Sequence, residues 1–134
     1  MQSLTHDIEK SVRTIFRLFF NTNVQLKNNN VYKYSPWGVD IIMDCGGVKK
    51  LSLFMDESTL KSVMKQLTGE DNIQNSALAY NVIGEIARFI AGNAAGEKHE
   101  NFTIYKPVPS QGIRHSEHSQ IFSSGLGEFA ISLE

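Results

Sequence analysis

Asn81, Glu85 and Arg88 form the polar stripe of a largely apolar stretch, Ser76 to Lys98 (SALAYNVIGEIARFIAGNAAGEK). At about 100° per residue they fall with Gly92 in a stripe roughly 60° wide. A carboxylate accepts hydrogen bonds, an amide both donates and accepts, and a guanidinium only donates, so the stripe offers an acid, an amide and a fixed cation side by side. The helix that positions them is unusual. Leu78, Val82, Ile83, Ile86, Phe89 and Ile90 share one broad arc, and Gly84, Ala87, Ala91, Ala94 and Ala95 form a second, where a neighbouring backbone can approach closely. A surface helix carries a wide charged face; this one is expected to be buried nearly all round, with one slot open. Ser76 is the expected N-cap, and Gly96 or Lys98 the end. On periodicity alone, Glu85 and Arg88 are an exposed i, i+3 ion pair worth a few tenths of a kcal/mol.

The spacing Asn81-x-x-x-Glu85-x-x-Arg88, followed by Ile90-Ala91-Gly92-Asn93, resembles the signature helix of the CheC/CheX phosphatases of bacterial chemotaxis. That pattern has Ser or Asp, then three residues, Glu, two residues and Asn. Glu85 matches, Asn81 departs mildly at the first position, and Arg88 stands where the family has its catalytic Asn. A single copy of the motif is similar to the CheX branch. The resemblance implies an α+β fold and a helix that docks over the phosphorylated aspartate of a response regulator's receiver domain. It also implies a homodimer, and no cofactor of the chain's own, the Mg2+ being carried by the partner receiver. In such a site Glu85 would pair with the regulator's lysine, and an amide at position 88 would orient the attacking water. Arg88 has no acceptor for that water but can grip phosphoryl oxygens in a fork.

Other candidates weigh less. His115-Ser-Glu117-His118 invites a metal reading, but an i, i+3 pair in a strand or loop converges poorly and no third ligand is adjacent, which favours a solvated loop. His6 and His99 are isolated. Gly92 to Gly96 is glycine-rich but ends a helix, without the strand–loop–helix context of a phosphate cradle. Ser58 and Ser76 are caps, with no histidine at a useful spacing. Cys45, the single cysteine, follows Ile41-Ile42-Met43-Asp44 and is expected to be a buried thiol. Asn93 falls on the apolar side and is expected to be a buried amide.

With 134 residues and a net charge of −1, the chain fits one domain, residues 1–134, and has no basic footprint for nucleic acid or an anionic membrane. No apolar run approaches the ~20 residues of a membrane span and no signal peptide is visible, so a cytoplasmic protein is expected.

The remaining elements follow from periodicity and punctuation. Ser3 to Asn21 reads as a helix with Ile8, Val12, Ile15, Phe16 and Phe19 at spacings of three and four. The cluster Phe16, Leu18, Phe19, Phe20 is broader than one core face, and packing on a sheet is favoured over a partner surface. Val24–Leu26 and Val31–Tyr34 are extended candidates around an Asn28–Asn30 turn. Gly38 to Asp44 and Leu51 to Leu53 alternate across Gly46-Gly47 as a hairpin. Asp56 to Leu67 is a helix with Leu60, Val63, Met64 and Leu67 inward, capped by Asp56 or Ser58 and ended by Gly69. Phe102 to Tyr105 is extended, Pro107 and Pro109 exclude helix, and Ser119–Ser123 with Glu128–Leu133 closes an antiparallel pair. Segregated helices and hairpins predict α+β, a mostly antiparallel sheet with helices packed on it.

Three functions remain open: a phosphatase of a phosphorylated regulator that compensates for Arg88 through Asn81, a non-catalytic signalling or interaction module that recognises a receiver domain or another signalling partner, and a structural homodimer in which Glu85 and Arg88 only solvate a groove.

Overall fold

The computed structural model describes residues 4–27, 37–70, 73–96, 101–110 and 119–134. The expected strand Val31–Tyr34, the Asn28–Asn30 turn, His99 and the His115–His118 segment lie outside them. The chain runs α1 (Leu4–Phe20), β1 (Val24–Leu26), β2 (Trp37–Asp44), β3 (Val48–Met55), α2 (Glu57–Thr68), α3 (Ser76–Gly96), β4 (Thr103–Ile104), β5 (Val108–Pro109), β6 (Ser119–Ser124) and β7 (Gly127–Leu133). Among the described residues the strands form one antiparallel sheet in the order β1-β6-β7-β3-β2-β4, with β5 also on β2. The α+β expectation holds: three helices pack on a mostly antiparallel sheet.

Alternation decides which sheet face the helices cover. Val39, Ile41 and Met43 of β2, Leu51, Leu53 and Met55 of β3, Phe122 of β6, and Phe129 and Ile131 of β7 enter one core with the helices. Phe16 of α1 stacks on Phe129 at 4.5 Å, and Phe129 on Phe122 at 5.3 Å, tying the first helix to the last strands through offset rings. The opposite face has a smaller cluster of Phe54, Ala130 and Ile121, which are register partners across β3, β7 and β6. β3 is therefore buried on both faces in its second half.

Local chemistry sets most element ends. Asp56 caps α2, its carboxylate accepting from the Thr59 N–H at 2.7 Å, and Gly69 closes it at φ 80°, donating to the Lys65 carbonyl. Asn75, not Ser76, caps α3: its side-chain oxygen accepts from the Leu78 N–H at 3.1 Å. The β2–β3 connection uses Cys45 as well as both glycines, with Gly46 at φ 86° and Asp44 paired to Val48. Cys45 is buried as expected, and burial, with Asp44 adding to it, pushes its thiol pKa up, so its reactive thiolate is disfavoured. Leu67 lies outside the inward stripe expected for α2 and is exposed.

Candidate functional site

α3 is central because it packs on α1 and runs across β2, with further contacts to β3 and α2. Val82, Ile83, Ile86 and Ile90 are buried, and so are Gly84, Ala87, Ala91, Ala94 and Ala95. Both arcs predicted for the helix are thus covered, apart from particular positions. Asn81, Glu85 and Arg88 emerge together on its open side. Arg88 Nη1 lies 3.5 Å from Glu85 Oε1, and their side chains are 60% and 55% exposed, so the pair is long, solvated and worth a few tenths of a kcal/mol at most.

Three burial expectations fail on this helix. Phe89 is 49% exposed although it belongs to the large apolar arc, Leu78 is half-buried, and Asn93 is exposed and not a buried amide. For Phe89 the physical reason is the position of α1. It covers Ile90, whose carbonyl accepts a 2.7 Å hydrogen bond from buried Ser11, while Phe89 on the flank meets the edge of Phe19 at 4.9 Å. The aromatic cluster of α1 divides accordingly: Phe16 and Phe20 are buried, whereas Leu18 and Phe19 are exposed, Phe19 beside Phe89.

The slot is a groove of 680 Å³. One wall is α3, with Ala77, Tyr80, Asn81, Gly84, Glu85 and Arg88; Val39 of β2 contributes to the lining, and the other wall is the edge segment from Ile104 to Pro109. This wall has a defined cause. Met43 pairs with Ile104 and Asp40 with Val108, so Ile41 and Ile42 of β2 face Tyr105, Lys106 and Pro107. Three residues opposing two constitute a β-bulge, which bends an edge strand and re-aims its side chains. The Tyr105 N–H donates to the Ile42 carbonyl at 2.9 Å and the Ser110 N–H to the Gly38 carbonyl at 2.9 Å, so the segment is held on both sides of the bulge. Pro107 packs against Gly84: a Cβ added there would lie 3.1 Å from the Pro107 Cβ. The small-residue arc allows this close approach. Trp37, at 5.2 Å from Tyr80, supports the groove's other end.

The structure therefore brings Asn81, Glu85 and Arg88 to one groove. Sequence reasoning missed the whole opposite wall, including Tyr105 and Lys106, and missed Tyr80. The Pro107-Val-Pro109 pattern marked an edge segment, but nothing local indicated that it would lie beside α3. Among the described residues, no three His, Cys, Asp or Glu side chains come together as a metal site, and no helix is long and apolar enough to cross a membrane.

No family model and no curated protein matches the sequence. Solved structures do match over nearly the full chain. Chemotaxis protein CheX from Vibrio vulnificus superposes with a TM-score of 0.74 at 19% identity, covering 98% of this chain and 99% of that one. CheX from Desulfovibrio desulfuricans gives 0.71 at 17% identity, covering 98% and 97%. CheX from Borrelia burgdorferi, solved in a complex with CheY, BeF3 and Mg2+, gives 0.65 at 13% identity, covering 98% and 96%. The chain has the fold of CheX and of the CheC-like chemotaxis proteins.

Proposed function

We propose that this chain is a CheX-like module that docks through the α3 groove on the phosphorylated receiver domain of a CheY-type response regulator, and that it is a weak phosphatase or none. The observation that carries this reading is the placement of Asn81, Glu85 and Arg88 together on the open side of an otherwise buried helix, in a fold of which one solved example is bound to CheY. The BeF3 in that complex is a chemical stand-in for a phosphoryl group. Among the described residues Glu85 has no partner closer than Arg88 at 3.5 Å, which leaves its carboxylate available to a lysine of the docked regulator. Hydrolysis of an acyl phosphate needs a water held in line with the leaving carboxylate, and positioning supplies most of such an enzyme's effect. Arg88 cannot accept a hydrogen bond from that water, whereas it can bind the phosphoryl oxygens. The Mg2+ in this proposal belongs to the receiver. We place the module in signal transduction as a homodimer.

The test is loss of phosphate from a labelled receiver in the presence of wild type, Arg88→Asn and Glu85→Ala. Arg88→Asn returns an acceptor and a donor one turn from Glu85, and should raise turnover at least tenfold. Glu85→Ala should weaken docking in either background. Robust turnover by the wild type that Arg88→Asn leaves unchanged or abolishes refutes the assignment of Arg88 as the missing catalytic amide.

A further inference from the structure

We propose that Lys106, on the bulged edge segment, forms with Arg88 a two-cation clasp for the phosphoryl group of an acyl phosphate. The identity of the macromolecule that brings the phosphoryl rests on the receiver-docking reading; the clasp is read from the groove itself.

The charged side chains lining the groove are Glu85, Arg88 and Lys106, a local excess of positive charge in a chain whose net charge is −1. Both cations have donors to spare. Arg88 contacts Glu85 through one nitrogen at 3.5 Å, and Lys106 has no ion pair or side-chain hydrogen bond among the described residues. They come from different elements, α3 and the edge segment, so a ligand lying between the walls is met from two sides. Lys106 is also well anchored for a surface lysine. It sits within the bulge, between the Tyr105 N–H bond to Ile42 and a proline seated on Gly84, and a residue preceding proline is confined to extended conformations.

The bulge is what gives the lysine this place. Ile104 pairs with Met43, a residue of the helix-facing core, whereas Val108 pairs with Asp40, which alternates onto the other face. Four residues of regular strand would have kept both on one face; the extra residue reverses the alternation, and Tyr105, Lys106 and Pro107 cross it beside the groove. The surrounding surface suits a phosphoryl ester or anhydride. Val39, Ile104 and Val108 supply apolar lining, and the Asn81 amide and the tyrosines at 80 and 105 add neutral donors. A phosphoryl dianion has three terminal oxygens; a guanidinium fork can take two and an ammonium, as a compact point charge, the third. Glu85 opposes anion binding, and its negative charge is the reason one cation alone would leave the groove neutral.

The clasp is tested with acetyl phosphate, an acyl phosphate without a protein. The single tryptophan, Trp37, lies against groove residue Tyr80 and reports occupancy by its fluorescence. At low ionic strength, acetyl phosphate should bind saturably; Lys106→Gln and Arg88→Gln should each weaken it three- to tenfold, and the double variant should remove it. Lys61→Gln, which alters a lysine paired with Glu57 on α2, should bind like wild type. Thermal melts should show all variants folded, since the altered groups are exposed. A second arm measures receiver binding. Lys106→Gln should weaken binding of the phosphorylated receiver more than binding of the unphosphorylated form, and so reduce the preference between them. Acetyl phosphate binding that Lys106→Gln does not weaken, or no saturable binding at all, overturns the clasp. If no receiver docks while acetyl phosphate still binds through Lys106, the docking reading fails, the clasp stands, and its ligand is a small-molecule acyl phosphate.

Discussion

Ile86 and Glu85 are sequence neighbours on α3 that the structure assigns opposite fates, and replacing each by alanine tests the helix phase on which the site depends. Ile86 is 1% exposed. Ile86→Ala removes three side-chain carbons from a packed interior and leaves a cavity that its neighbours fill only in part, at a cost of about 3 kcal/mol. Domains of this kind have ~5–15 kcal/mol of stability in total, so the variant should stay folded with a reduced margin. At about 4 °C per kcal/mol, its melting temperature should fall by roughly 10–12 °C. Glu85→Ala removes a solvated carboxylate and a 3.5 Å ion pair, and alanine is a slightly better helix former, so the net change should stay within about 0.5 kcal/mol. Far-UV circular dichroism melts of wild type and both variants, at one protein concentration, make the comparison. An Ile86→Ala variant that melts with wild type, or a Glu85→Ala variant as destabilised as Ile86→Ala, would mean that the polar stripe does not face the groove.

Phe89→Ala should lower the urea midpoint by the equivalent of only about 1 kcal/mol, because half of the ring is open to water and what is lost is one flank plus the edge contact with Phe19. A loss above about 3 kcal/mol would show that Phe89 is a core residue after all. Sedimentation at tens of micromolar should give a species of twice the 15.0 kDa chain mass, and a 15.0 kDa species alone would refute the homodimer. β1, three residues long, ends the strand order on one side, whereas on the other Pro107 and Pro109 interrupt the edge that a second chain would need to extend.

The sequence by itself determined α3 and its stripe. In a helix with apolar or small residues on nearly every side, Asn81, Glu85 and Arg88 are the groups whose burial without partners would cost most, so they define the open side wherever the helix is placed. It also determined the β2–β3 hairpin, through strict alternation about two glycines, and the ends of α2, through Asp56 and Gly69. The spacing around Glu85 was enough to suggest the CheX-like fold. Tertiary structure alone decided how far each arc is covered. Periodicity gives a side chain's angle about the helix axis, not which neighbour stands at that angle. Phe89 and Ile90 belong to the same apolar arc but lie about 100° apart on the wheel; α1 closes over Ile90 and leaves Phe89, at the edge of the arc, on its flank. Structure alone also decided that the Tyr105–Pro107 bulge faces α3. That depends on β4 and β5 pairing with β2, some 60 residues earlier in the chain, in two registers offset by one residue, and on a glycine at position 84 thin enough for Pro107 to rest on. In a hairpin the turn and the alternation fix the register; for strands that return to β2 after some 60 residues no turn does so, and which open edge they meet is a property of the assembled sheet.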